Sequence, residues 1–334
     1  MRVQCRPVTT HEAASDNMKN RICSILPLLA AALLAHAATA TLAQTVDDAE
    51  RCASITGNPD VAIQHCTRAI ESKRHTGEEL AKLYFNRGIE WAAKGDYDRA
   101  IADFDASLRL APRNVDALYS RGSARSNKGD HDRAVADFNA AIGLNPKDPA
   151  AFSGRAHEWT AKGDYEKAIA DYDTAIRLDP KASVPLLARG RVRLYTGDHA
   201  RAVSDLEQSL KLDYNEYTAL WLYLARKRGG APDAEERLDA ETRASRGSSW
   251  PAPVIVLFLG RTDPDSVLAA ATDQDARRQR EQRCEANFYL AHWHLLRGNS
   301  ERALPLLQEA QRSCPREFLE HEGAVAELRR LQKP

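Results

Sequence analysis

The sequence lacks the signatures that most often indicate catalysis. It contains no His-Glu-x-x-His pattern, no glycine-rich phosphate loop, and no Ser-His-Asp or Cys-His spacing typical of a nucleophile. Its 47 basic and 47 acidic residues give zero formal charge, so nothing points to nucleic acid or an anionic membrane surface. We therefore expect no enzyme, no cofactor and no nucleic-acid partner. A catalytic triad assembled from distant repeats stays open as an alternative.

Metal-binding patterns are equally scarce. No Cys-x-x-Cys pair is present, which disfavours a zinc site. His292 and His294 suggest a ligand pair, but residues two apart point to different faces of a helix. We predict no metal site.

The N-terminal segment has the organisation of a secretory signal peptide. A basic stretch that begins at Met18 is followed by an apolar run that ends in small residues. We predict a signal peptide over residues 1–43, with translation starting at Met18, cleavage after Ala43 or Ala40, and a periplasmic protein. An uncleaved segment that holds the protein at the membrane is the alternative. No cysteine directly follows the apolar run, so we predict no lipid anchor.

Glycine recurs every 34 residues, at Gly95, Gly129, Gly163 and Gly197, and each opens a phrase similar to "GDYDRAIADFDASLRLAP". Apolar residues recur with helical spacing on both sides of each glycine. The period and pattern resemble the tetratricopeptide repeat (TPR) family, whose unit is a helix–turn–helix. The predicted fold is therefore all-α: a TPR α-solenoid of helix-turn-helix hairpins with an irregular C-terminal helical region and a capping helix.

The chain divides into units around these repeats. We predict a degenerate helical hairpin at 47–78, four repeats over 81–214, irregular helical hairpins at 217–283, a TPR-like unit at 284–315 and a capping helix at 316–332. The four repeats are 81–114, 115–148, 149–182 and 183–216. The apolar run Trp250–Gly260 is predicted to be a short buried helix, because a stack of helices offers it no partner strand.

Two charged positions recur when each repeat is numbered from its first residue. Position 7 is always arginine and position 23 always aspartate, and these positions face each other in an antiparallel hairpin. In the unit that turns at Gly298, Leu290 and Leu306 replace both charges together, which suits a partly buried ion pair. An arginine ladder for anionic ligands is the alternative. The predicted pairs are Arg87–Asp103, Arg121–Asp137, Arg155–Asp171 and Arg189–Asp205.

Four cysteines follow residue 43, an even number that permits disulfides in an exported chain. The same hairpin geometry places Cys284 and Cys314 at facing positions. Cys52 and Cys66 are about one turn off but still lie on facing helices. We predict the disulfides Cys52–Cys66 and Cys284–Cys314, each stapling one terminal hairpin, where a repeat has only one neighbour.

In the TPR family the first helices of the repeats line a concave groove. The residues of this chain at the groove positions are small, neutral and partly aromatic. They do not match the set that grips a free acidic C-terminus, since Phe85 and Ile89 replace two of its polar residues. A polypeptide with apolar anchors fits better; alternatively, these side chains only pack against the next repeat. The candidate groove residues are Phe85, Ile89, Tyr119, Ser123, Asn127, His157, Leu187, Arg191 and Tyr195.

The order of the C-terminal pieces resembles the NlpI-type family of periplasmic TPR proteins. The resemblance is carried by the stretches LWLYLA (220–225), Trp250 ahead of LFLG (257–260), EANFYLA (285–291) and EFLEH (317–321). Members of that family are membrane-tethered scaffolds that bind cell-wall hydrolases and dock a periplasmic protease. The resemblance implies a non-catalytic scaffold for protein or peptide partners in the cell envelope.

Several alternatives remain open at this point. The chain lacks the lipoprotein cysteine of the NlpI-type family, so membrane association is left open, as is a homodimer. The alternative function is a TPR chaperone or assembly factor for a secretion or outer-membrane machine.

Overall fold

The computed structural model describes residues 48–54, 57–244, 247, 249–316 and 318–332. Across these ranges the regular structure is helical and no strand is present. The predicted all-α solenoid of helical hairpins is confirmed. The predicted signal peptide, residues 1–43, lies outside the described residues. Among the described helices, none combines the length and hydropathy needed to cross a membrane.

Consecutive helices form antiparallel hairpins that stack along the chain. The N-terminal hairpin pairs helical residues 48–54 (α1) with α2 (Pro59–Glu71). The first helix of the first repeat begins at Gly77, four residues before the repeat boundary assigned from the sequence. The four regular repeats contribute α3 (Gly77–Ala93) and α4 (Tyr97–Leu110), α5 (Val115–Asn127) and α6 (His131–Leu144), α7 (Pro149–Lys162) and α8 (Tyr165–Leu178), and α9 (Ser183–Thr196) and α10 (His199–Leu212).

The Gly-Asp pair at each turn meets two local requirements. The glycines have left-handed φ angles, 82° at Gly163 and 84° at Gly197, which residues with a Cβ rarely adopt. The aspartate caps the second helix, as Asp96 does by accepting a hydrogen bond from the N–H of Arg99 at 3.1 Å. Equivalent caps are made by Asp130, Asp164 and Asp198.

Inside each hairpin a small residue faces a large one. Gly88 on α3 approaches Phe104 on α4 so closely that a Cβ at Gly88 would lie 2.7 Å from the ring. Phe104 is fully buried, as is Ala100 one turn before it. The repeating small and large positions therefore fix how tightly the two helices of a repeat pack.

After the repeats the chain continues in shorter and longer helices. The apolar run forms a short helix in which Ile255 and Leu257 are fully buried. The first helix of the C-terminal unit begins eight residues ahead of Cys284. The helices are α11 (Glu216–Arg228), α12 (Ala234–Thr242), α13 (Ala252–Phe258), α14 (Pro264–Ala270), α15 (Ala276–Leu295), α16 (Ser300–Ser313) and α17 (Leu319–Leu331).

The largest core cluster lies in this C-terminal half and joins it to the last regular repeat. Trp221 of α11 is fully buried, with its ring 5.3 Å from Phe288 of α15 and 6.1 Å from Tyr195 of α9. The last helix, α17, is part of the same cluster through Ala324 and Leu328. The predicted capping helix is thus packed into the fold, and the surface that it covers determines the shape of the candidate site.

Candidate peptide-binding groove

The recurring arginines and aspartates meet within every regular repeat. Arg121 contacts Asp137 with Nε–Oδ2 and Nη2–Oδ1 distances of 3.0 and 2.6 Å, and the carboxylate is almost fully buried. The corresponding pairs are Arg87–Asp103 at 2.7 Å, Arg155–Asp171 at 2.7 Å and Arg189–Asp205 at 2.6 Å. The charge of each of these arginines is paired with a buried aspartate of the same repeat, which leaves the alternative of a ladder for anionic ligands without support.

The same arginines also bind the preceding repeat, a contact that the sequence analysis missed. Arg121 Nη1 lies 2.5 Å from Asp105, and Arg155 Nη1 lies 2.6 Å from Asn139. Arg189 donates to Asp173 at 2.5 Å in the same way. The three acceptors occupy position 25 of successive repeats, so each arginine ties its own hairpin to the one before it.

Both cysteine pairs predicted from the sequence are joined in the structure. Cys52 and Cys66 connect α1 to α2 with a Cα–Cα distance of 4.7 Å. Cys284 and Cys314 connect α15 to the end of α16 with a Cα–Cα distance of 5.0 Å. The disulfides lie in the first and last hairpins of the described chain.

The two histidines of the C-terminal unit lie in different environments. Burial and the nearby Arg228 guanidinium lower the pKa of His292 to about 3, and Arg228 Nη2 lies 3.1 Å from its Nδ1. His294 is only partly buried and packs against Trp293 with ring centres 5.0 Å apart. In the described part of the chain no group of three or more His, Cys, Asp or Glu side chains is placed to hold a metal ion.

The first helices of successive repeats contact one another, α3 with α5, α5 with α7, and α7 with α9. Their shared surface is the concave groove, and its N-terminal half is open. Ile89 is 39% exposed there. Phe85 and Tyr119 are half-buried, with ring centres 5.8 and 5.5 Å from Phe104 and Phe138. Ser123 and Asn127 are also partly accessible. These five residues define the open half of the groove.

The other half of the groove is filled by α17. Arg191 is 2% exposed and donates to the carboxylate of Glu322 and, at 3.2 Å, to the carbonyl oxygen of Leu319. Tyr195 is 8% exposed and accepts a hydrogen bond from Arg191 at 3.1 Å. The prediction that Arg191 and Tyr195 line an open groove is therefore wrong, because the last helix of the same chain covers them.

Leu187 also differs from its predicted role, since it is partly buried against the main core cluster. It borders a separate cavity together with Phe318 and Leu319 at the beginning of α17. The open groove is consequently shorter than the groove predicted from the nine candidate residues.

α17 is held by contacts with three successive first helices. Arg329 donates to the carbonyl oxygen of Ala161 on α7 at 3.0 Å. Arg191 of α9 binds Glu322 of α17, and Arg228 at the end of α11 lies 2.5 Å from Glu327. Burial would raise the pKa of Glu327, but Arg228 together with the neighbouring His292 and Arg330 lowers it to about 2. Buried ion pairs of this kind make α17 a fixed part of the fold.

A cavity of about 340 Å³ lies where the open half meets α17. His157 borders it and contacts the buried Glu158 at 3.3 Å, while His131 contacts the same carboxylate at 2.7 Å. Burial opposes ionisation of Glu158, but the hydrogen bonds from His131, His157 and Ser126 lower its pKa to about 2. The carboxylate of Glu158 is therefore ionised and paired beneath the cavity.

Residues 85–149 and 124–183 match the family model of the tetratricopeptide repeat, so this part of the chain consists of TPR repeats. A TPR protein from Parabacteroides merdae is similar in structure, with 18% identity, a TM-score of 0.49, and coverage of 74% of this chain and 98% of that one. The C-terminal part of a TPR protein from Cytophaga hutchinsonii gives 16% identity, a TM-score of 0.49, and coverage of 80% and 94%.

MamA from Desulfovibrio magneticus gives 22% identity and a TM-score of 0.46, covering 52% of this chain and 95% of that one. None of these structural similarities bears on the ligand.

Proposed function

We propose that this chain is a non-catalytic scaffold that binds a polypeptide along the open half of its TPR groove. The observation that carries this proposal is the exposure of Ile89 beside the half-buried Phe85 and Tyr119 on the concave face. Phe85 and Ile89 lie one turn apart on α3, and Tyr119 takes the position of Phe85 in the next repeat. Together they form an apolar strip with the spacing that suits the anchor residues of a peptide.

The closed half of the groove supports the same assignment. There α17 of the chain itself lies on α7, α9 and α11, as a bound helix would. The concave surface therefore accommodates a polypeptide in one half, and the open half offers an adjacent stretch of the same surface.

Matched substitutions test this function. The groove variant Ile89→Asp with Ser123→Asp adds two charges to the open half, and the control Ala102→Asp with Ala136→Asp adds two charges to exposed second-helix positions. Immobilised protein is used to capture partners from a cell-envelope fraction, and the captured proteins are identified by mass spectrometry. We expect partners that bind the unaltered protein and the control but not the groove variant. Equal capture by all three would contradict the proposal.

We also propose that the protein works in the periplasm and that its partners are envelope proteins. Its N-terminal segment has the pattern of a signal peptide, and its resemblance to NlpI-type scaffolds implies hydrolases and a protease as partners. The two disulfides support an oxidising compartment. Cell fractionation and the mass of the mature chain test this location; a cytoplasmic protein that retains residues 1–43 would contradict it.

A further inference from the structure

The cavity at the end of the open half is lined by the repeats on one side and by the C-terminal region on the other. One wall consists of TPR first helices and includes Asn127 and His157. The opposite wall comes from the C-terminal region and includes Arg316 and Arg329. Because Asn127 belongs both to the open half of the groove and to this cavity, a peptide in the groove reaches the cavity directly.

The carboxylates around the cavity are already paired. Glu158 lies beneath it between His131 and His157. Glu322 is bound by the buried guanidinium of Arg191. No carboxylate of the described residues forms an ion pair with Arg316 or Arg329. Within the described part of the chain, these two cavity-lining cations therefore have no ion-pair partner, since Glu322 in the same lining is bound by Arg191.

The repeats set the positions of these two arginines. Arg316 lies over Gly129 and Arg329 over Gly163, which are equivalent glycines of consecutive repeats. A Cβ at Gly163 would lie 2.8 Å from the Arg329 guanidinium, and one at Gly129 would collide with that of Arg316. The two guanidinium groups are thus spaced one repeat apart along the groove.

The donor capacity of these groups is only partly used. Arg329 donates to the carbonyl oxygen of Ala161 at 3.0 Å and also hydrogen-bonds Tyr165, whereas a guanidinium carries five N–H donors. Arginine binds carboxylates in a bidentate, charge-assisted geometry that is stronger than a neutral hydrogen bond. A cavity of this size beside an apolar strip accommodates acidic side chains of an extended peptide.

We propose that Arg316 and Arg329 bind acidic side chains of the polypeptide that occupies the open half of the groove. The ligand is thus a peptide that combines apolar anchors for Phe85, Ile89 and Tyr119 with Asp or Glu residues that enter the cavity. This inference rests on the proposed function and adds the chemical class of the partner.

Selection from a displayed library of roughly 12-residue random peptides tests the inference on the full chain. Three proteins are compared: the unaltered chain, Arg316→Gln with Arg329→Gln, and the control Arg302→Gln with Arg312→Gln. The control removes two exposed charges on α16 outside the cavity. We expect the unaltered chain and the control to enrich acidic residues about twofold or more over the input library. The cavity variant should select apolar peptides without that enrichment.

A second measurement leaves the protein unchanged. A selected peptide and its analogue with Gln at every acidic position are compared by fluorescence anisotropy on the unaltered chain. We expect the analogue to bind about tenfold more weakly, as expected for the loss of a charge-assisted hydrogen bond. This comparison remains decisive even if the arginine variant does not fold.

The outcomes separate the two proposals. Three results would overturn the inference: selected peptides without acidic enrichment, equal enrichment on the cavity variant, or equal affinity of the Gln analogue. Each would assign the arginines a purely structural role at the ends of α5 and α7. The proposed peptide binding in the groove would still stand. If no peptide is enriched on the unaltered chain, the proposed function fails and this inference fails with it.

Discussion

Arg191 on α9 donates to the carboxylate of Glu322 on α17, joining residues 131 positions apart in the chain. Their side chains are 3% and 12% exposed. This contact closes half of the concave groove and leaves open the half formed by α3 and α5, where we propose that the ligand binds.

Removing one partner of this pair should be costly. Glu322→Gln leaves the buried guanidinium of Arg191 without a counter-charge, so we expect the free energy of unfolding to fall by about 3 kcal/mol. Chemical denaturation measures the effect. In the control, Glu309→Gln, the lost carboxylate is 49% exposed and paired with Arg312, so the change should stay below about 1 kcal/mol. Equal effects of the two substitutions would contradict a buried ion pair.

The two acceptors of Arg121 should differ in importance. Asp137 is 4% exposed and also binds Arg125 at 2.7 Å, whereas the Asp105 side chain is 38% exposed. We expect Asp137→Asn to destabilise the protein by about 3 kcal/mol and Asp105→Asn by less than about 1 kcal/mol. Unfolding curves of the two variants, recorded under the same conditions, decide between this order and its reverse.

The disulfides should stabilise the terminal hairpins to different extents. Their cysteines are 14 and 30 residues apart, for which the chain-entropy relation gives about 3 and about 4 kcal/mol. Cys52→Ser with Cys66→Ser, and Cys284→Ser with Cys314→Ser, should therefore lower the denaturation midpoint, the second pair by more. Adding a reductant should lower the midpoint of the unaltered protein and leave that of a fully substituted chain unchanged. Free thiols in the exported protein would contradict the pairing.

A buried carboxyl group should make stability depend on pH near neutrality. Glu285 accepts hydrogen bonds from Tyr217 at 2.8 Å and from Trp250 at 2.5 Å. Burial and the neighbouring Glu320 raise its pKa from 4.5 to about 7. The folded protein therefore keeps a proton that the unfolded chain loses above pH 4.5. The stabilisation is complete below that pH and is lost as the pH rises through about 7, a change of about 3 kcal/mol.

Unfolding measured between pH 4 and pH 9 checks this dependence. Glu285→Gln keeps an acceptor for Tyr217 and Trp250 but does not titrate, so the slope near pH 7 should become shallower. The exposed Glu301→Gln serves as the control and should leave the slope unchanged. A slope that is the same in both variants would show that Glu285 ionises normally in the folded protein.

The parts that could be predicted from the sequence are those set by local geometry. A 34-residue period fixes each hairpin, and positions that face each other in a hairpin follow from the turn. Arg121 and Asp137 were found in this way, as were both cysteine pairs. The contact of Arg121 with Asp105 was not predicted. Its signal was present, because a hydrogen-bond acceptor recurs at position 25 of the repeats, as Asp105, Asn139 and Asp173.

The surface against which α17 packs could not be predicted from the sequence. Its pattern indicates an amphipathic helix, but periodicity does not specify the surface that such a helix covers when that surface lies more than a hundred residues away. One signal was present: position 9 of the fourth repeat is Arg191, whereas the earlier repeats have Ile89, Ser123 and His157 there. A charge on an otherwise neutral groove face needs a partner, and Glu322 supplies it.

Photo-crosslinking in cells locates the surface at which a partner binds. p-Benzoylphenylalanine is placed at Ile89 in the open half or, as a control, at Ala136 on an exposed second-helix position, and the cells are irradiated. The groove account predicts a crosslinked protein partner from Ile89 and none from Ala136. Crosslinks of equal yield from both positions, or from Ala136 alone, would show that partners do not bind in the open half of the groove.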